Sequence, residues 1–139
     1  MALAVYVLTA LAAVVVVLTR LRLRREHAAG RVDVARAPLA VHTIFGVLAL
    51  VLWTVFLFGD GSLGKDAATL LGLVALVCWW VVALAGLLIL ARWLPARGRH
   101  AASGQEDSWS RGPWLSLLAH VGMVAGVLVF TYAYLIKAV

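Results

Sequence analysis

The stretch LAVHTIFGVLALVLWTVFLF (Leu39–Phe58) decides the fold, because its 20 residues include no Asp, Glu, Lys or Arg and one ionisable side chain, His42. An α-helix needs about 20 apolar residues to cross the roughly 30 Å hydrocarbon layer of a bilayer. Lipid cannot form hydrogen bonds with exposed backbone groups, so a helix, which satisfies those groups internally, is the expected conformation. The stretch therefore predicts a transmembrane helix with a histidine near one end.

Three other segments have the same apolar character, at about 2–19, 67–91 and 114–136. In a chain of 139 residues that is 65% hydrophobic, with a mean hydropathy of +1.04, this pattern excludes a soluble globular domain. We predict an all-α integral membrane protein, a single membrane domain over 1–139 that folds as an up-down bundle of four transmembrane helices. The first segment is expected to be a retained span, because no basic region precedes it and no cleavage site leads into a soluble domain.

Basic residues predict how the bundle is oriented. The connections 20–38 and 92–113 contain ten of the twelve lysines and arginines, and in an up-down bundle they lie on the same side. The positive-inside rule assigns both loops to the cytoplasm and both termini to the outside. The net charge of +6 follows from this topology and from attraction to anionic lipids, and we expect no binding to nucleic acid. Ten arginines against two lysines, with no asparagine, favour a bacterial plasma membrane.

The two basic connections also resemble each other. RREHAAGRVDVARAP (24–38) precedes His42, and RGRHAASGQEDSWSRGP (97–113) precedes His120. Both contain His-Ala-Ala, a glycine soon afterwards, an acidic residue, and then an arginine, a small residue and a proline. We interpret the chain as two tandem helix hairpins related by a pseudo-twofold axis along the membrane normal, as in parallel repeats of membrane proteins. The alternative is that sequence rich in Ala, Arg and Leu aligns with itself by chance.

His42 and His120 are the only ionisable residues of Asp, Glu, Lys, Arg or His type within the predicted spans. An ionisable residue inside a membrane indicates a functional site by default. Spans two and four are diagonal in an up-down bundle, so side chains at matched depth can face each other across the core. Two facing imidazoles can hold haem iron from both sides. We therefore predict these histidines as the iron ligands of a haem b, an arrangement that resembles small membrane b-type cytochromes in architecture alone.

Three further residues belong to this predicted haem site. Gly46 lies one turn after the first histidine and would leave room for a flat macrocycle, whereas Val124, in the same place relative to the second, would not. Arg36 and Arg111 lie near the same ends of the two spans and are predicted to pair with the haem propionates. The cavity is expected to be wider beside span two.

The resulting hypothesis is a b-type haem electron-transfer subunit, or the anchor subunit of a redox complex, within a larger membrane assembly or a homodimer and with a quinone as a candidate partner. We expect no enzymatic turnover by this chain, because it contains no HExxH, GxSxG or P-loop motif. Two alternatives stay open. One is a cofactor-free accessory subunit whose histidines only pack and whose glycine face (Gly122 and Gly126) docks a partner. The other is a small transporter whose histidines titrate protons.

Overall fold

A computed structural model describes the backbone of residues 1–28, 36–59, 63–99 and 114–139, and the side chains of 1–21, 37–59, 63–91 and 117–139. The described ranges form four helices: α1 (Ala2–Ala28), α2 (Arg36–Phe58), α3 (Lys65–Arg99) and α4 (Trp114–Leu135). Each contains a segment long and apolar enough to cross a membrane. The prediction of an all-helical chain with four membrane-spanning helices is confirmed at this level.

Two helices continue past the predicted spans. The segments 20–28 and 92–99, which the charge pattern placed in loops, are the last turns of α1 and α3. The end of α3 stays helical through Pro95 and Gly98, residue types of low helix propensity, so composition does not explain it. At the end of α1 composition does explain the helix, because Arg, Leu, Ala and Glu, which make up most of 20–28, have high helix propensity even where their charges keep them out of hydrocarbon. The arginines that follow the apolar part of α1 are therefore carried on a helix.

The helices form a closed ring in chain order. Each helix packs against its neighbours in the sequence and α4 returns to α1, whereas in the described residues no Cα atom of α1 lies within 8 Å of α3, and none of α2 within 8 Å of α4. The backbones of α2 and α4 are thus apart, and the two helices meet through their ring side chains. The diagonal placement of α2 and α4 agrees with an up-down bundle. The most extensive interface joins α2 to α3 and thus runs between the two predicted hairpins, so the tandem repeat stays a prediction.

Large aromatic side chains fill the middle of the bundle. Trp53, Trp79 and Phe130 are fully buried, and the Phe130 ring centroid lies 5.1 Å from that of Trp53 and 5.6 Å from that of Trp79. The indole Nε1 of Trp53 donates a hydrogen bond to Thr9 Oγ1 at 3.2 Å, which ties α1 to α2. Three helices thus meet in one aromatic core.

The outer surface of the bundle is apolar on all four helices. Leucines such as Leu3, Leu88 and Leu118 are 76%, 62% and 70% exposed. Apolar surface on this scale is not stable in water, because each exposed Å² of it costs roughly 25 cal/mol. The surface matches the hydrocarbon interior of a bilayer.

Candidate ligand site at a histidine pair

Gly86 of α3 brings the two histidines of the spans together. A Cβ atom placed on Gly86 would lie 2.8 Å from Cδ2 of His120 and 3.5 Å from Cδ2 of His42. One ring comes from α2 and the other from α4, and both pack against the same point of the α3 backbone. The two imidazoles therefore lie at one depth in the bundle, and no side chain larger than glycine fits between them without moving a ring.

His42 is buried in a way that requires explanation. It is 2% exposed and is the one polar side chain classed as buried in the described part of the chain. Its Nδ1 has no hydrogen-bond partner among the described residues. A buried polar atom without a partner costs about 1–3 kcal/mol, and native proteins usually satisfy such atoms with protein groups, water or a ligand. Nε1 of Trp79, in the aromatic core, also has no partner among the described residues, so such a nitrogen alone does not identify a ligand site. What distinguishes Nδ1 of His42 is that an imidazole nitrogen can ligate a metal, whereas an indole N–H can only donate a hydrogen bond.

The face of α2 that carries His42 points into the bundle along its length. Gly46, Ala49 and Trp53, which follow at helical spacing, are all buried. On α4, Val127 is fully buried on the face that carries His120. Both histidines therefore belong to the inward faces of their helices rather than to the lipid-facing surface.

Gly46 does not contact the histidine rings in the structure. A Cβ atom on Gly46 would lie 2.9 Å and 3.1 Å from the two Cγ atoms of Val16, so this glycine allows a close approach of α1 to α2. The space that the sequence analysis assigned to a macrocycle beside His42 is filled by Val16. Its opening requires a movement of Val16 or of α1.

Gly86, by contrast, contacts both rings and was not predicted. A depth count along the sequence could have found it. Gly86 lies six residues before Arg92, and His42 lies six residues after Arg36, so both stand at the same distance from the basic ends of their helices.

Among the basic residues whose side chains the structure describes, Arg20 is the one that contacts α2 at the level of His42. Its guanidinium Nη1 lies 3.5 Å from Thr43 Oγ1, a long hydrogen bond to the residue that follows His42. The side chain of Arg36 and the whole of Arg111 lie outside the described residues, so their predicted pairing with propionates stays a prediction. The sequence analysis placed Arg20 in a loop, and the continuation of α1 as a helix is what brings it to this position.

A second pair of rings repeats the geometry of the histidine pair. A Cβ atom on Gly72 would lie 2.7 Å from Cε2 of Tyr134 and 2.9 Å from Cε2 of Phe56. Phe56 and Tyr134, the aromatic pair, each follow a histidine of the first pair by 14 residues, and Gly72 precedes Gly86 by 14. The two pairs are thus about 21 Å apart along the bundle at 1.5 Å per residue.

The donor set at the histidine pair limits what it can bind. In the described part of the chain no group of three or more His, Cys, Asp or Glu side chains could hold a metal ion. A zinc site usually needs three or four protein ligands, whereas haem iron is held by its macrocycle and needs only one or two. Two converging imidazoles match the second requirement.

No protein-family model matches the chain, and no curated protein or solved structure is significantly similar to it. Any function must therefore be inferred from the chain's own residues.

Proposed function

We propose that this protein is a membrane b-type haem protein that transfers electrons or anchors a redox complex, with His42 and His120 as the two iron ligands. The observation that carries the proposal is the convergence of both imidazoles, from diagonal helices, on the backbone of Gly86. Haem bound there would supply a one-electron redox centre inside the membrane.

Three features of the pair suit a flat, largely apolar ligand once the bundle has opened to admit it. A neutral imidazole carries one nitrogen with a free lone pair, which is the form that ligates a metal. His42 is buried among apolar groups and has a nitrogen without a partner in the described part of the chain. Gly86 has no side chain between the rings, so α3 presents only backbone to whatever lies between them.

Room for the ligand requires the bundle to open, and its packing indicates where. Val16 fills the space beside Gly46, and both imidazoles rest on α3. The span of α1 is the least buried of the four, so an outward movement of α1 breaks fewer contacts than a movement of α2 or α3. We infer that α1 is the helix that yields when the ligand enters.

The surroundings of the site favour electron transfer over catalysis. Fully buried Trp53 and Phe130 close the bundle on one side of the histidines and exclude water there. The described side chains place no carboxylate or lysine beside the pair that could act in acid–base turnover. We propose a non-catalytic redox subunit for this reason.

The proposed orientation places the histidine pair near the cytoplasmic surface of a bacterial plasma membrane, with both termini outside. The support is the concentration of arginines in 20–38 and 92–113. The electron partner is then a quinone in the bilayer or a second protein in a larger membrane complex, and a homodimer is the simplest such assembly.

The test is the visible absorption spectrum of the purified protein and of four histidine variants. We expect a Soret band and sharp bands after reduction in the wild type, and their loss in His42→Ala and in His120→Ala. His27→Ala and His100→Ala change the chain's other two histidines and serve as matched controls that keep the spectrum. Wild-type protein that stays colourless after expression with excess haem would refute the proposal and favour the cofactor-free accessory subunit.

A further inference from the structure

Arg20 of α1 contacts α2 at Thr43, the residue that follows His42. Its guanidinium contacts Thr43 on α2, and one turn earlier on α1 Val16 contacts Gly46. These two contacts set α1 against α2 at the level of His42. The guanidinium therefore lies on the side of the histidine pair that is remote from the buried tryptophans.

No described side chain neutralises the charge of Arg20. Thr43 offers a neutral oxygen, and its hydroxyl already donates to Leu39 O at 2.8 Å. The one acidic residue with a described side chain is Asp66, which lies in the first turn of α3 at the opposite end of the bundle. A guanidinium has five N–H donors in a fork that matches a carboxylate, and a partly buried one without a counter-ion is costly.

We propose that Arg20 pairs with a carboxylate of the bound porphyrin, so that α1 supplies the counter-charge while α2 and α4 supply the iron ligands. This inference rests on the haem proposal above and deepens it. It assigns a specific contact to a residue that the sequence analysis counted only as part of a basic loop, and it directs the carboxylate edge of the porphyrin toward the arginine-rich end of the bundle.

The proposed ion pair would also hold α1 against the rest of the bundle. Its described links to α2 include the stacked rings of Tyr6 and Phe58, the Trp53–Thr9 and Arg20–Thr43 hydrogen bonds, and the Val16–Gly46 contact. If α1 yields to admit the ligand, an ion pair at Arg20 fastens it again once the ligand is in place. Binding and the position of α1 are then coupled through one charge.

The test compares two ligands that differ only in their carboxylates. Full-length apoprotein in neutral detergent is titrated with haem b and with its dimethyl ester, in which both carboxylates are blocked. We expect Arg20→Gln to weaken the binding of haem b about tenfold and to leave the binding of the ester unchanged. Arg22→Gln removes the same charge two residues further along α1 and is expected to bind both ligands as the wild type does.

The ester also reports on folding, because a variant that binds it normally has an intact site. An equal loss for both ligands in Arg20→Gln would show a structural role and overturn the inference, as would no loss for haem b. A loss that appears only after phospholipid is added would assign Arg20 to a lipid phosphate and also overturn it. If haem binding depends on the histidines but is unchanged in Arg20→Gln, this inference alone is refuted. If the wild type binds neither ligand, the haem proposal is refuted as well.

Discussion

The histidine pair and the aromatic pair are built alike but differ in their chemistry. Each consists of one ring from α2 and one from α4, packed on a glycine of α3. At the aromatic pair the ring centroids lie 5.7 Å apart, and the Tyr134 hydroxyl donates to Thr69 O at 2.8 Å. At the histidine pair, Nδ1 of His42 has no partner among the described residues.

The comparison separates what the packing of α2, α3 and α4 requires from what a ligand would require. Phe56, which has no polar atom, and Tyr134, whose hydroxyl is hydrogen-bonded to Thr69 O, show that two rings without a free ligating atom serve to join α2, α3 and α4 through a glycine. Imidazoles in the same geometry add a buried polar nitrogen, which costs free energy unless something binds to it. The proposal of a ligand at this position uses that nitrogen, and the aromatic pair provides an internal control for it.

The largest effect is expected when the histidine pair is made to resemble the aromatic pair. The double variant His42→Phe/His120→Phe should lose all haem binding, because no ligating atom remains. The free energy of unfolding of its apoprotein should stay unchanged or rise by about 1 kcal/mol, since the buried nitrogen is removed. Haem content and thermal unfolding followed by circular dichroism measure the two quantities. A marked fall in stability would show that the imidazoles hold the bundle together, contrary to this comparison.

Substitution of the glycine at each pair is expected to have smaller effects, on stability at both pairs and on haem binding at the histidine pair alone. Gly86→Ala and Gly72→Ala each place a methyl group against rings from α2 and α4, and overpacking of this kind costs about 1–3 kcal/mol, partly offset by about 1 kcal/mol of gained helix propensity. Both variants should therefore lose similar, modest stability. Only Gly86→Ala should also weaken haem binding, because it displaces the His120 ring. Chemical denaturation and haem titration of both variants measure this, and equal haem affinities would separate Gly86 from the ligand site.

The fold could be predicted from the sequence because its main determinant is the length of apolar runs. Four runs near 20 residues predict four spans, and alternation of direction then places spans two and four on a diagonal. The arginine-rich ends of α1 and α3 could not be predicted in the same way. At the end of α1, charge favours a loop and helix propensity favours a helix, and the structure follows propensity as far as Ala28. At the end of α3, both charge and the residues Pro95 and Gly98 disfavour a helix, yet α3 continues to Arg99.

The site could be predicted only in part. Depth along a helix follows from residue counting, and the structure brings His42 and His120 to one level. The neighbour of Gly46 depends on how α1 is rotated about its axis, and apolar residues on every side of α1 leave that rotation unspecified by the sequence. Val16 beside Gly46 and Arg20 beside Thr43 are both consequences of that rotation, which is why neither was foreseen.

Electron paramagnetic resonance of the oxidised, haem-loaded protein tests the central claim most directly, because it reports how many strong axial ligands the iron has. Two imidazoles on one iron predict a low-spin ferric signal in the wild type, at one haem per chain, and its conversion to a high-spin signal in whatever haem His42→Ala or His120→Ala retains. A high-spin signal in the wild type, or a low-spin signal that survives both single substitutions, would contradict the proposal that these two histidines share one iron.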